Sequence, residues 1–153
     1  MLACWVFLEK KWEWEEELLE HSYFKEYPSE VCEYATYIAN PDKVVFLVYS
    51  DGECIGQVVL RKDWNKYAFI EDICVAKDAR GKGVGTALIQ RAVEWAKERE
   101  LSGLALETQD TNLLACRFYA KCGFVIGGVN TMLYRNFEKL WSDESAIYWY
   151  LKF

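Results

Sequence analysis

Arg80-Gly81-Lys82-Gly83-Val84-Gly85 stands between an apolar, β-branched run ending at Val75 and a segment in which Leu88, Ile89, Ala92, Val93 and Ala96 recur at helical spacing. Arg91, Glu94, Lys97 and Glu98 occupy the other face of that helix. Glycines at a strand-to-helix junction leave backbone amides open to an anion, and the helix dipole adds positive potential at the same place. Arg80 and Lys82 add charge. Two familiar phosphate loops are excluded by spacing. A Walker loop needs four residues between its first glycine and Gly-Lys. A dinucleotide turn needs Gly-x-Gly-x-x-Gly/Ala, and Gly85 arrives one position early. Glu107 would pass for that turn's distant ribose acid, but the strands upstream contradict a βαβ start.

Those strands are legible from Val44 onward. Val44 to Tyr49 and Cys54 to Leu60 flank Asp51-Gly52, which predicts a hairpin. Trp64-Asn65 supplies the next turn, and Tyr67 to Val75 reads as a third antiparallel strand. Beyond the helix, Gly103 to Thr108 is a short strand that a right-handed crossover lays parallel to the one ending at Val75. Asp110 or Thr111 can cap a second helix through Leu113, Leu114, Ala115, Phe118 and Tyr119, and Gly123 suits its left-handed C-terminal cap. Phe124 to Val129 and Ala146 to Phe153 complete the sheet. Earlier, Trp12 to His21 reads as helical, and Pro28-Ser29-Glu30 opens a helical pattern through Val31, Tyr34, Ala35 and Ile38 that Asn40-Pro41 stops. The expected class is α/β, a mixed sheet with helices on its faces. With 153 residues and no repeat or linker, a single domain is expected over 1–153.

A formal charge of −6 argues against a nucleic-acid partner, which would need a basic face, and suits a cationic one. Much of the excess lies in Glu9, Glu13, Glu15, Glu16, Glu17, Glu20, Glu26, Glu30 and Glu33, read as a solvated acidic helix face. A field that concentrates cationic substrate is the sharper alternative. Cys4, Cys32, Cys54, Cys74, Cys116 and Cys122 form no Cys-x-x-Cys pair, and His21 is the one histidine, so neither a metal site nor a disulfide framework is expected. The cysteines are read as small core hydrophobes in a reducing cytoplasm. Met1 to Leu8 is apolar, but too short for a membrane span or a signal core. Trp5, Trp12, Trp14, Trp64 and Trp149 are read as core or pocket material, with a homodimer interface as the alternative.

Arg80-x-x-Gly83-x-Gly85 resembles the Arg/Gln-x-x-Gly-x-Gly signature of the Gcn5-related N-acetyltransferases (GNAT). The resemblance implies the GNAT fold, a mixed and mostly antiparallel sheet splayed at its centre, with acetyl-CoA as co-substrate and no metal. It implies that Arg80, Gly81, Lys82, Gly83, Val84, Gly85 and Thr86 cradle the pyrophosphate. Ile73, Cys74 and Val75 would pair their backbone with the pantetheine arm, and the Val75 N–H would face the thioester carbonyl. Asn112-Leu113-Leu114-Ala115-Cys116-Arg117-Phe118-Tyr119-Ala120-Lys121-Cys122-Gly123-Phe124 resembles the family's Asn-x-x-Ala-x-x-Phe-Tyr-x-x-x-Gly-Phe element. That implies cofactor contacts from Asn112 and Ala115, and Tyr119 as the acid for the departing sulfur.

An attacking amine must also lose a proton. Strand alternation puts Glu71 with Ile73 and Val75 on one face and Asp72 with Cys74 on the other. Glu71 and Glu107 are equal candidates for the base, with Asp72 as a substrate anchor.

Leu106-Glu107-Thr108-Gln109-Asp110 and Thr131-Met132-Leu133-Tyr134-Arg135-Asn136-Phe137, with Leu60-Arg61-Lys62, Ile70-Glu71-Asp72-Ile73 and Trp149-Tyr150-Leu151, are similar to the streptothricin acetyltransferases. This implies acetylation of a β-lysine amine on a streptothricin-type antibiotic, with Glu71, Asp72 and Tyr134 on the substrate side. Members of that family carry more chain ahead of the first acidic helix, so either Ala3 to Leu8 is an abbreviated first strand or the true start lies upstream. The same chemistry on a protein N-terminus or a polyamine, and a non-catalytic CoA-binding module, are the alternatives.

Overall fold

The computed structural model describes residues 2–8, 11–17, 33–137 and 143–153, the first of these segments by its backbone alone. In chain order the elements are β1 (Leu2–Leu8), β2 (Lys11–Glu17), a 3-10 turn (Tyr34–Tyr37), β3 (Lys43–Ser50), β4 (Glu53–Lys62), β5 (Ala68–Val75) and a second 3-10 turn (Lys77–Ala79). There follow α1 (Val84–Glu98), β6 (Gly103–Gln109), α2 (Leu113–Lys121), β7 (Val125–Asn130) and β8 (Ala146–Lys152). The chain divides into two compact units, one of Val31–Leu106 with Leu151–Phe153, the other of Met1–Glu30 with Glu107–Tyr150.

In the first unit, β3, β4 and β5 form the expected antiparallel meander. Asp51 and Gly52, at φ 51° and 85°, make a turn of the primed kind that matches hairpin twist. The opening residues of β6 then lie parallel to β5, as the crossover rule requires. Gly56 of β4 lies under α1, where an added Cβ would stand 3.1 Å from Val84 Cγ1 and 3.3 Å from Leu88 Cδ1. Val58 and Leu60, two and four residues on, share that face and are fully buried. Leu88, Ile89, Ala92, Trp95 and Ala96 are the buried residues of α1. Each large apolar side chain sealed this way contributes about 1.5–3 kcal/mol.

The regular alternation of β5 breaks at one position. Leu60 pairs with Ile70 and Val59 with Asp72, so Glu71 is an extra residue, a β-bulge. A bulged strand bends and twists more strongly. The described pairing of β5 with β6 consists of Ala68 with Leu104 and Phe69 with Ala105, and it ends where the bulge begins.

In the other unit, β1 and β2 pair antiparallel from Leu2 with Glu17 to Leu8 with Lys11. The helix expected over Trp12 to His21 is therefore replaced by a strand through residue 17, and 18–21 lie outside the described residues. Trp12 and Trp14 are half-buried while Lys11, Glu13 and Glu15 are exposed, a period of two that pairing with an apolar strand rewards over the helix propensity of glutamate. Of the acidic residues, Glu13, Glu15 and Glu17 therefore line the exposed face of a strand and Glu16 is held by the Arg117 guanidinium, while Glu9, Glu20, Glu26 and Glu30 lie outside the described residues. Of the second expected helix, 28–32 lie outside the described residues and Tyr34–Tyr37 form one 3-10 turn.

β7 and β8 pair antiparallel, and a Cβ on Gly127 would stand 2.3 Å from the Tyr150 ring, so the register requires glycine there. The cap of α2 is Asn112 rather than Asp110 or Thr111: Ala115 N–H donates to its Oδ1 at 3.3 Å. Asp110 is instead buried and accepts from Ser145 N–H. Gly123, at φ 90°, follows the helix as expected.

The cysteines are not uniformly core residues. Cys116 is buried, but Cys54 and Cys74 are exposed because they lie beside the hairpin turn and on the side of β5 away from α1. Trp149 is core, whereas Trp64 projects from its turn at 90% exposure. Among the described residues no helix is long and apolar enough to cross a membrane.

Candidate active site

At the glycine junction, Gly81 and Gly83 take φ of 75° and 86°, values that favour glycine, and an added Cβ at either would meet nothing within 4 Å. Gly83 is the N-cap of α1. No side chain caps that end, and no acid stands in its first turn. The first-turn amides and the positive end of the dipole are thus presented to an anion across backbone that carries no side chains. Lys82 and Thr86 are exposed beside them. Arg80 is tied back to β5, its Nε donating to the Val75 carbonyl at 3.1 Å. This arrangement fits the pyrophosphate of acetyl-CoA.

The acids of β5 sit differently from the expectation. Glu71 accepts from Tyr37 Oη on Oε2 at 2.7 Å and pairs through Oε1 with Arg61 Nε at 3.2 Å. Asp72 accepts on Oδ2 from Gln57 Nε2 at 2.7 Å, and Gln57 Oε1 accepts from Tyr34 Oη. Gln57 and Arg61 are four residues apart on β4 and share a face. Both carboxylates therefore lie on that face, opposite α1, and the alternation that separated them fails at the bulge. Cys74, cross-strand from Gln57, joins them, and burial followed by the Asp72 charge raises its thiol above the ordinary range. Arg61, Gln57, Tyr34 and Tyr37 were not singled out as site residues. Arg61 bridges two acids, Asp63 at 2.6 Å and Glu71 at 3.2 Å, and the second contact depends on the bulge.

The second unit carries the other candidate groups. Tyr119 is buried on α2, its ring 5.6 Å from Phe124 edge-on and 6.4 Å from Trp149. Trp149 Nε1 donates to Thr108 Oγ1 at 3.1 Å, linking β8 to β6. Glu107, half-buried on β6, accepts from the hydroxyl of buried Tyr134, which also accepts from Gln109 Nε2. The structure thus groups Glu71 with Asp72, and Glu107 with Tyr134.

A model of the acetyltransferase (GNAT) family matches residues 8–124. The chain belongs to that family. It is 51% identical over 142 residues to streptothricin acetyltransferase A of Bacillus subtilis (strain 168), covering 93% of this chain and 80% of that one. A crystal structure from Bacillus anthracis str. Ames, described as a streptothricin acetyltransferase in complex with acetyl coenzyme A, superposes with a TM-score of 0.91. It shares 43% identity and covers 99% of this chain and 85% of its own. Nourseothricin acetyltransferase follows with a TM-score of 0.80 at 30% identity, covering 99% and 83%. This GNAT protein is an acetyl-CoA-dependent N-acetyltransferase with the mixed, mostly antiparallel sheet and flanking helices of its family.

Proposed function

We propose that the acceptor is a primary amine on the β-lysine arm of streptothricin-type antibiotics, and that the chain works as one acetyltransferase domain conferring resistance to them. The observation that carries this reading is the 51% identity to a streptothricin acetyltransferase over 93% of the chain. The paired acids Glu71 and Asp72 support it, since a β-lysine arm is cationic and an acidic surface concentrates such a substrate. Acetylation removes one positive charge from the drug.

Acetyl-CoA supplies the activated acetyl group. Arg80 to Thr86 hold its pyrophosphate, the Ile73–Val75 backbone with Asn112 and Ala115 receives the arm, and the Val75 N–H is the donor for the carbonyl oxygen. Asp72 anchors the ammonium group of the acceptor. The amine must shed a proton before its lone pair can form the C–N bond. Glu107 and Glu71 are the two candidate acceptors for it. Tyr119 gives its phenolic proton to the sulfur as the C–S bond breaks.

The test is to incubate purified protein with acetyl-CoA and, separately, streptothricin, an N-terminal peptide and a polyamine, and to follow acetyl transfer by mass. Transfer to streptothricin is expected. Transfer to the peptide or polyamine alone would overturn the acceptor while leaving the transferase intact. In Tyr119→Phe, turnover should fall by roughly 10²-fold or more with CoA binding retained.

A further inference from the structure

Tyr134 follows β7 in an otherwise exposed stretch, from Thr131 to Phe137, yet it is itself only 8% exposed. Its ring packs edge-on against Phe137 at 6.0 Å. The hydroxyl donates to Glu107 Oε1 and accepts from Gln109 Nε2 at 3.2 Å. Glu107 and Gln109 are two apart on β6, so they project from the same face and meet the phenol together. Gln109 orients the hydroxyl, and its proton goes to the carboxylate. With the residue buried and both bonds made, the hydroxyl is engaged within the fold.

We propose that Tyr134 is a positioning residue for Glu107, a fixed neutral donor that holds the carboxylate ionised and aimed, rather than a contact for the acceptor. This rests on the reading of Glu107 as a proton acceptor. Burial, followed by the bond and charge of Glu107, raises the phenol far above its ordinary value, so it remains a donor throughout the working range. Glu144, in the segment before β8, adds negative charge. Asp110, at the end of β6, lies within reach of Glu144.

The experiment is the pH profile of kcat/KM for wild type, Tyr134→Phe, Glu107→Gln, and protein carrying difluorotyrosine at 134. A hydrogen bond to a charged group is worth enough to move the acid limb of Tyr134→Phe upward by about one to two pH units. Difluorotyrosine, a stronger donor of nearly the same shape, should move it the other way. It also decides the matter if Tyr134→Phe fails to fold. An unmoved limb with a raised KM for the acceptor would overturn the proposal and make Tyr134 a substrate contact. Glu107→Gln should lose the limb together with most of the rate. If it keeps both, the assignment of Glu107 falls instead, and the two failures are told apart.

Discussion

Gly83→Ala isolates the phosphate cradle from the fold, because Gly52 offers a matched control. The two glycines have φ of 86° and 85°, and neither has an atom within 4 Å of where a Cβ would go. Alanine at either position pays the left-handed penalty, roughly 1–2 kcal/mol, with no steric clash added. For a chain of this length that lowers Tm by about 2–8 °C in both variants. The variants part company at the ligand. A methyl group on Gly83 stands over the uncapped first turn of α1, where one charge-assisted hydrogen bond is worth about 1.5–3 kcal/mol. Acetyl-CoA should therefore bind about ten- to a hundredfold more weakly to Gly83→Ala, while Gly52→Ala binds it normally. Calorimetric titration with CoA, beside thermal unfolding without it, measures both quantities. Equal affinities with equal losses of Tm would refute the placement of the pyrophosphate at this helix.

Trp149→Phe removes one of the two partners of the buried Thr108 Oγ1, leaving Cys116 Sγ at 3.7 Å, and it should cost about 0.5–1.5 kcal/mol for the lost hydrogen bond, with the void adding to that, read from urea midpoints. Burial, offset by the Ser145 amide and reinforced by the Glu144 charge, raises the Asp110 carboxyl above its ordinary 3.8. The folded state then binds more protons than the unfolded state between that value and the raised one, so stability falls as pH climbs through the window. Asp110→Asn should remove that slope, gaining stability over wild type above the window and none below it, as chemical denaturation at a series of pH values would show. Iodoacetamide should label exposed Cys54 well before Cys116, whose thiol is buried and pushed up to about 11, as peptide mapping over time would reveal.

Helix α1, the β3–β4 hairpin and the parallel β6 were legible because each has a periodicity or turn signal that neighbouring residues reinforce. Lys11–Glu17 was not, since four glutamates within seven residues argue for a helix and only the partner strand decides otherwise. At Asp110-Thr111-Asn112 three consecutive residues can cap a helix. Burial of Asp110 settles the choice, and burial has no local signature. The strand-to-helix glycine turn was readable from spacing, whereas the acids were not readable in orientation. An inserted residue such as Glu71 leaves no mark on composition while it reverses strand parity. Tyr134 and Glu107, 27 residues apart, meet only through the fold.

The extra residue in β5 also bears on how this chain tolerates changes of length. Removing Glu71 would leave Phe69, Asp72 and Cys74 on their present face and Ile70 and Ile73 on the other, an unbroken alternation. Such a deletion mutant would lose the bulge that brings Glu71 onto the face of Asp72. It should be the more regular protein. That order would come at the expense of the two neighbouring acids now facing Gln57 and Arg61.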